Sequence, residues 1–173
     1  IVPHPRHLID ITGIDPTLAA TYACSGLTAY SALLKTDMDR EKDRLLILGM
    51  GGVGLSGLYI AQALGFKHIA VADIDADKRA FALANGAEAV VDPRDADAIA
   101  KLQALDGGIA AVTDFVGATS TTTFGFNVVR KGGSDVYQAA VNGNNLGVDH
   151  RGATMNAFLG VKVLTELLVM GRV

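Results

Sequence analysis

The amino-acid sequence, 173 residues long, predicts a three-layer α/β/α fold built on a doubly wound parallel sheet. Three observations carry that expectation. Apolar runs of strand length, residues 45–48, 69–72 and 109–115, alternate with longer segments of helical periodicity. The first run leads straight into Gly49-Met50-Gly51-Gly52-Val53-Gly54, a G-x-G-x-x-G turn. The second run is followed by an acid, Asp73, nineteen residues beyond Gly54. Strands covered on both faces read as unbroken apolar runs, and that is how the strands of a parallel sheet look.

The elements follow in order. Pro3 and Pro5 favour an extended lead-in, and Asp15-Pro16 marks a helix start with Asp15 as N-cap and Pro16 at the first helical position. Leu27, Tyr30, Leu33 and Leu34 recur at helical spacing and predict a second helix over 26–36, followed by a charged segment over 37–44. After the first strand and the glycine turn, Val53, Leu55, Leu58, Ile60, Ala61 and Leu64 predict a helix that Gly65 closes. The second strand, 69–72, is followed by a helix over 77–84, which Asn85-Gly86 stops. Ala89-Val90-Val91 is a third strand, 96–105 a helix, and Gly107-Gly108 its stop. The fourth strand carries Asp114 near its carboxyl end, where the acid can face a ligand or cap the next helix. That helix spans 119–129 in spite of its threonines, and Lys131-Gly132-Gly133 reads as a turn. Beyond it the pattern is less regular: a fifth strand over 135–141, a turn cluster Asn142-Gly143-Asn144-Asn145, and a last helix over 161–170. Alternation of this kind implies right-handed crossovers, with a ligand at the carboxyl ends of the strands where their order reverses.

Composition narrows the class. Half the residues are apolar and 19% are charged, which describes one globular domain with its own core. A net charge of −3 argues against a nucleic-acid partner or a basic membrane-binding patch. No apolar run approaches bilayer-spanning length. The opening Ile-Val-Pro-His-Pro-Arg is neither a signal nor a transit peptide and reads as a start within a longer protein. A single cysteine excludes an internal disulfide and fits the reducing cytoplasm.

The glycine turn names a ligand class. Gly49 allows a sharp turn off the strand, Gly51 lets a pyrophosphate approach the backbone, and Gly54 lets the helix pack closely on the strand. A helix beginning near Gly52 points free N–H groups and a positive dipole end at that pyrophosphate. Asp73 would accept hydrogen bonds from the adenosine ribose, and its charge would repel the extra phosphate of NADP, which favours NAD. A methyltransferase also places a glycine loop after its first strand and an acid after its second.

Three blocks carry a resemblance: Ala19-Ala20 with Cys24-Ser25-Gly26-Leu27-Thr28-Ala29-Tyr30; the glycine turn; and Asp73-Ile74-Asp75-Ala76-Asp77-Lys78 with Ala84-Asn85-Gly86-Ala87. In order and spacing they resemble the cofactor-binding (Rossmann) domain of the medium-chain, zinc-dependent alcohol dehydrogenases, from about Asp15 to Lys131. The first block has no place in a methyltransferase. The resemblance implies that Cys24 is a ligand of a catalytic zinc and that Thr28 lies against the nicotinamide at the catalytic centre. It implies that Gly49, Met50, Gly51, Gly52, Val53 and Gly54 hold the pyrophosphate, that Asp73 and Lys78 hold the ribose, and that Ile74 lies near the adenine. Phe115 and Val116 would line the cofactor groove. Read without the resemblance, a lone cysteine is more often a small buried hydrophobe, and Asp77-Lys78-Arg79 is an ordinary solvated helix face. His4, His7, His68 and His150 show no metal-ligand spacing.

By this resemblance the whole chain, 1–173, is a dinucleotide-binding domain. Residues 1–25 lead in from a catalytic domain that the sequence lacks, and 134–173 depart from the family pattern. The implied activity is hydride transfer between an alcohol/aldehyde pair and NAD, with zinc in the full-length enzyme, no catalysis by the isolated domain, and assembly as a dimer or tetramer. Two alternatives stand beside it: a zinc-free NAD(P)H quinone or enoyl reductase of the same superfamily, and a non-catalytic nucleotide-binding module.

Overall fold

The structure, a computed structural model, describes residues 4–5, 8–137, 139–141 and 144–146, with side chains described as far as Gly133. Five strands lie parallel in the order β3-β2-β1-β4-β5: β1 is Arg44–Leu48, β2 His68–Ala72, β3 Ala89–Val91, β4 Ile109–Asp114 and β5 Val129–Tyr137. The order reverses at β1, so the chain is doubly wound as its sequence predicts. The helices between the strands are α3 (Gly52–Ala63), α4 (Ala76–Ala84), α5 (Ala98–Gln103) and α6 (Thr119–Val128), preceded by α1 (Pro16–Thr21) and α2 (Leu27–Leu34).

Strand periodicity sorts the core into two halves. Leu45 and Ile47 of β1, Ile69 and Val71 of β2 and Ala111 of β4 pack with Ala29 and Leu33 of α2 and Leu58 and Ala61 of α3. Leu46, Leu48, Ala70, Ala72 and Val112 face the other way, onto Ala98 and Leu102 of α5 and Phe124 and Val128 of α6. Each strand is therefore covered on both faces, and no polar side chain interrupts β1 after Arg44. At about 25 cal/mol per Å² of apolar surface, burial of one such leucine or valine is worth about 2 kcal/mol.

The local signals behave as the residues dictate. The Asp15 carboxylate accepts the N–H groups of Thr17 and Leu18, with Pro16 opening α1. Asp75 caps α4 through the N–H groups of Asp77 and Lys78.

Three expectations need correction. The first two helices are not separate: α1 runs through a π-helical turn at Tyr22–Gly26 directly into α2, and the helix ends at Leu34 rather than 36. Gly26 adopts helical angles (φ −63, ψ −46), so nothing interrupts the chain, and one surplus residue is absorbed where Leu27 N–H reaches back to Tyr22 O. Lys131-Gly132-Gly133 is not a turn between elements but an irregularity inside β5. Pairing with β4 jumps from Ile109↔Val129 to Ala111↔Ser134, taking up the surplus residues. Gly133 is admitted because it has no Cβ; one placed there would lie 2.5 Å from Ala110 O. β5 stops at Tyr137, and β6 (Ala139–Val141) pairs antiparallel with β7 (Asn144–Leu146), so Asn144 and Asn145 are strand residues rather than part of the turn. The helix expected over 161–170 lies outside the described residues. No helix among the described residues is long and apolar enough to cross a membrane.

Candidate functional site

A cleft of about 430 Å³ opens at the carboxyl ends of the strands, where β1 separates the two halves of the sheet. Leu48, Gly49, Gly51, Gly52, Val53 and Gly54 form its floor, with Ala72, Asp73, Ile74 and Lys78 on one side and Phe115, Val116 and Thr121 on the other. The turn is built by its glycines. Gly49 has φ +87, in the left-handed region, and its N–H donates to Ala72 O. A Cβ on Gly54 would lie 1.7 Å from Gly49 O, so α3 can begin here only with a bare residue. A Cβ on Gly51 or Gly52 would meet nothing within 4 Å, since both face the open cleft at the start of α3. The free N–H groups of that helix terminus make the floor receptive to an anion.

Asp73 is buried just past β2 and ties the two sides of the turn together. Its Oδ2 accepts from Met50 N–H at 2.6 Å and its Oδ1 from Asp75 N–H at 2.8 Å. An ionised carboxylate offers about four acceptor sites, so two remain for a ligand hydroxyl. On the opposite wall Asp114 is fully buried and accepts from Val116 N–H (2.9 Å), Gly117 N–H (3.1 Å) and Thr121 Oγ (2.8 Å). Of the two uses open to Asp114, the structure selects the internal one: it fixes the 115–117 loop to the head of α6.

Of the predicted cofactor residues, Gly49, Gly51, Gly52, Val53, Gly54, Asp73, Ile74, Lys78, Phe115 and Val116 all line this cleft. Met50 does not; its side chain is buried in the core, and its backbone N–H is the group Asp73 uses. Thr28 and Cys24 lie away from the cleft lining, Thr28 near the start of α2 and Cys24 exposed on the π-helical turn. Among the described residues no three His, Cys, Asp or Glu side chains gather as a metal centre would require.

Sequence reasoning missed a cluster beneath the Asp73 side. Asp92, just after β3, is buried and pairs with both Arg79 of α4 and Arg94. Arg94 bonds it through Nε (2.9 Å) and Nη2 (2.6 Å), and Arg79 through Nη1 (3.2 Å). These contacts, Arg94's first among them, hold the Asp92 carboxyl well below the usual carboxylate range. The same guanidiniums reach the rim of the cleft: Arg79 donates to Asp73 O (2.7 Å) and Arg94 to Ile74 O (3.0 Å). The only sequence trace of this cluster is Asp92-Pro93-Arg94, an acid between a strand and a Pro-Arg pair.

Comparison with known proteins places this geometry. The family model described as zinc-binding dehydrogenase matches residues 52–162. An NAD-dependent alcohol dehydrogenase of Sulfolobus acidocaldarius is 30% identical over 131 residues, covering 76% of this chain and 38% of that protein. An alcohol dehydrogenase of Rhizobium meliloti is 41% identical over 91 residues, covering 53% of this chain and 26% of that protein. Among solved structures, the D-arabinose dehydrogenase of Sulfolobus solfataricus superposes with a TM-score of 0.69 at 25% identity, over 80% of this chain and 44% of that one. The chain thus spans less than half the length of each of these relatives.

Proposed function

Because the chain belongs to the zinc-binding dehydrogenase family of oxidoreductases, we propose that it forms the NAD-binding domain of an alcohol dehydrogenase. One observation carries the reading. A bare backbone floor at a helix N-terminus and a buried carboxylate with spare acceptor capacity line the same cleft, with Gly51 open toward it. A pyrophosphate would lie over Gly51 and Gly52, and the adenosine ribose would donate its hydroxyls to Asp73. Lys78, whose ammonium makes no ion pair or hydrogen bond among the described residues, would reach the same ribose. Ile74 and Val116, both half-exposed at the cleft, would sandwich apolar parts of the cofactor.

In this reading the cofactor supplies the hydride chemistry, and the chain supplies orientation and charge. An alcohol/aldehyde pair is the substrate class, Thr28 would border the nicotinamide, and the whole protein would assemble as a homo-oligomer. Zinc does not fit the described residues by themselves: Cys24 offers one exposed thiol with no partner ligands gathered beside it among them.

The test is titration of the full-length protein with NADH and NADPH, followed by NAD reduction with a series of primary and secondary alcohols. NADH should bind more tightly than NADPH, and at least one alcohol should be oxidised. Absence of binding by either nucleotide would overturn the reading.

A further inference from the structure

The Asp92 cluster lies within reach of the rim where a ribose would sit, yet nothing in the glycine turn or Asp73 requires it. Two cations stand under that rim. Arg79 and Arg94 donate to the main-chain carbonyls of Asp73 and Ile74, the two residues that would flank the ribose and adenine. Both are drawn onto one buried carboxylate, Asp92, which binds Arg94 through both oxygens. Pro93, between Asp92 and Arg94, itself lines the cleft. Arg94 is 66% exposed at its side chain, and its guanidinium is held by Asp92 together with Ile74 O.

We propose that Asp92 is a specificity-determining positioning residue: by holding Arg79 and Arg94 beneath the rim it withholds both guanidiniums from a ribose 2′-phosphate and leaves the Lys78 ammonium to face the ribose. This rests on the dinucleotide reading above and extends it to the choice between NAD and NADP. The reasoning is one of charge. Arg79, Arg94 and Asp92 carry +1 together, and removal of the acid leaves +2 beside the position of a phosphate that bears nearly two negative charges. A guanidinium is also the group best shaped to grip phosphate. Asp73 would still oppose the phosphate, so the expected outcome is a change of ratio, not a reversal.

The test uses the full-length protein and four ligands: NADH, NADPH, 5′-AMP and 2′,5′-ADP. The last two confine the readout to the adenosine end. Asp92→Asn keeps the shape and removes the charge. It should raise the affinity for 2′,5′-ADP relative to 5′-AMP, and for NADPH relative to NADH, by about tenfold. Arg94→Gln removes a cation with the acid in place and should move both ratios the other way. A role confined to folding would weaken all four ligands together and could not give shifts of opposite sign. Unchanged ratios in Arg94→Gln, or in a folded Asp92→Asn, would overturn the proposal while leaving NADH binding by the wild type intact. If Asp92→Asn does not fold, Arg94→Gln, at an exposed side chain, decides alone. Failure of the unsubstituted protein to bind any of the four would instead overturn the dinucleotide reading itself, and this proposal with it.

Discussion

Substitution of Gly54 by alanine separates packing from ligand contact. The new methyl would sit 1.7 Å from Gly49 O and 2.8 Å from Gly49 C. Real Cβ contacts are essentially never closer than 3.0 Å, so the Gly49 carbonyl must retreat by about 1.3 Å. The obstruction is backbone and cannot rotate aside. Overpacking costs about 1–3 kcal/mol, and a main-chain clash belongs at the upper end, about 3 kcal/mol. For a domain of this size each kcal/mol lowers Tm by about 2–4 °C, so Gly54→Ala should melt about 6–12 °C below the parent in a thermal scan followed by circular dichroism. A shift of that size also carries the turn out of hydrogen-bonding range, and NADH affinity should fall at least tenfold, about 1.4 kcal/mol. Gly51→Ala is the counterpart. Gly51 has φ −74, which alanine adopts freely, and nothing lies within 4 Å of its Cβ. Its Tm should stay within about 2 °C of the parent, while NADH affinity should again fall tenfold or more, because the methyl occupies the space assigned to pyrophosphate. A Gly54→Ala protein with parental Tm would refute the packing argument. A Gly51→Ala protein that binds NADH as the parent does would refute the placement of the ligand.

The remaining expectations concern the polar groups. Asp114→Ala leaves Val116 N–H and Gly117 N–H without their acceptor, with the Thr121 hydroxyl falling back on Ala118 O, and should cost about 2–4 kcal/mol in urea denaturation. An unchanged urea midpoint would show that water replaces the carboxylate at no cost. Asp73→Asn turns one acceptor into a donor facing Met50 N–H or Asp75 N–H, so stability should fall by about 1–3 kcal/mol together with preference for NADH over NADPH. Retention of both would sink the double role given to Asp73. Burial raises the pKa values of Asp43 and Glu88, but Asp39 N–H and Arg130 for the first, and His68 and Arg44 for the second, outweigh it and leave both below their ordinary values. Asp92 is held low as well. Each binds fewer protons folded than unfolded, so the stability they confer is complete above the ordinary carboxylate range and is lost as pH falls through and below it. Urea midpoints should be flat from pH 7 to about pH 5 and decline below about pH 4, more shallowly in Glu88→Gln; equal slopes would contradict the assignment.

The parts most legible in the sequence are those fixed by local chemistry. β1, β2 and β4 announce themselves because a strand covered on both faces tolerates almost nothing but apolar residues, as Leu45-Leu46-Ile47-Leu48 illustrates. The glycine turn was legible because Gly49 and Gly54 answer steric demands that no other residue meets. The π-helical turn at Tyr22–Gly26 was not, since a surplus residue in a helix leaves the composition unchanged and alters only the hydrogen-bond ladder. The irregular start of β5 was hidden for a related reason: Lys131-Gly132-Gly133 has turn chemistry, and only pairing with β4 turns it into a strand with a displaced register. The Asp92 cluster was invisible because its members come from α4 and from the segment after β3, and they meet only when β2 and β3 lie side by side.

The central position of β1 has a consequence for how the protein moves. Its backbone is paired along both edges, to β2 and to β4, and its side chains from Leu45 to Leu48 are shut off from water. Amides in such a strand exchange with deuterium only when the whole domain opens, which makes it the last part of the sheet to breathe. The glycine turn hangs from the end of that strand and is pinned by Gly49 N–H to Ala72 O and by Met50 N–H to Asp73. A ligand arriving there meets a surface already set, and little conformational entropy remains to be lost. Binding should therefore leave exchange at residues 45–50 almost unchanged and slow it at Gly51 and Gly52, which face the cleft at the start of α3.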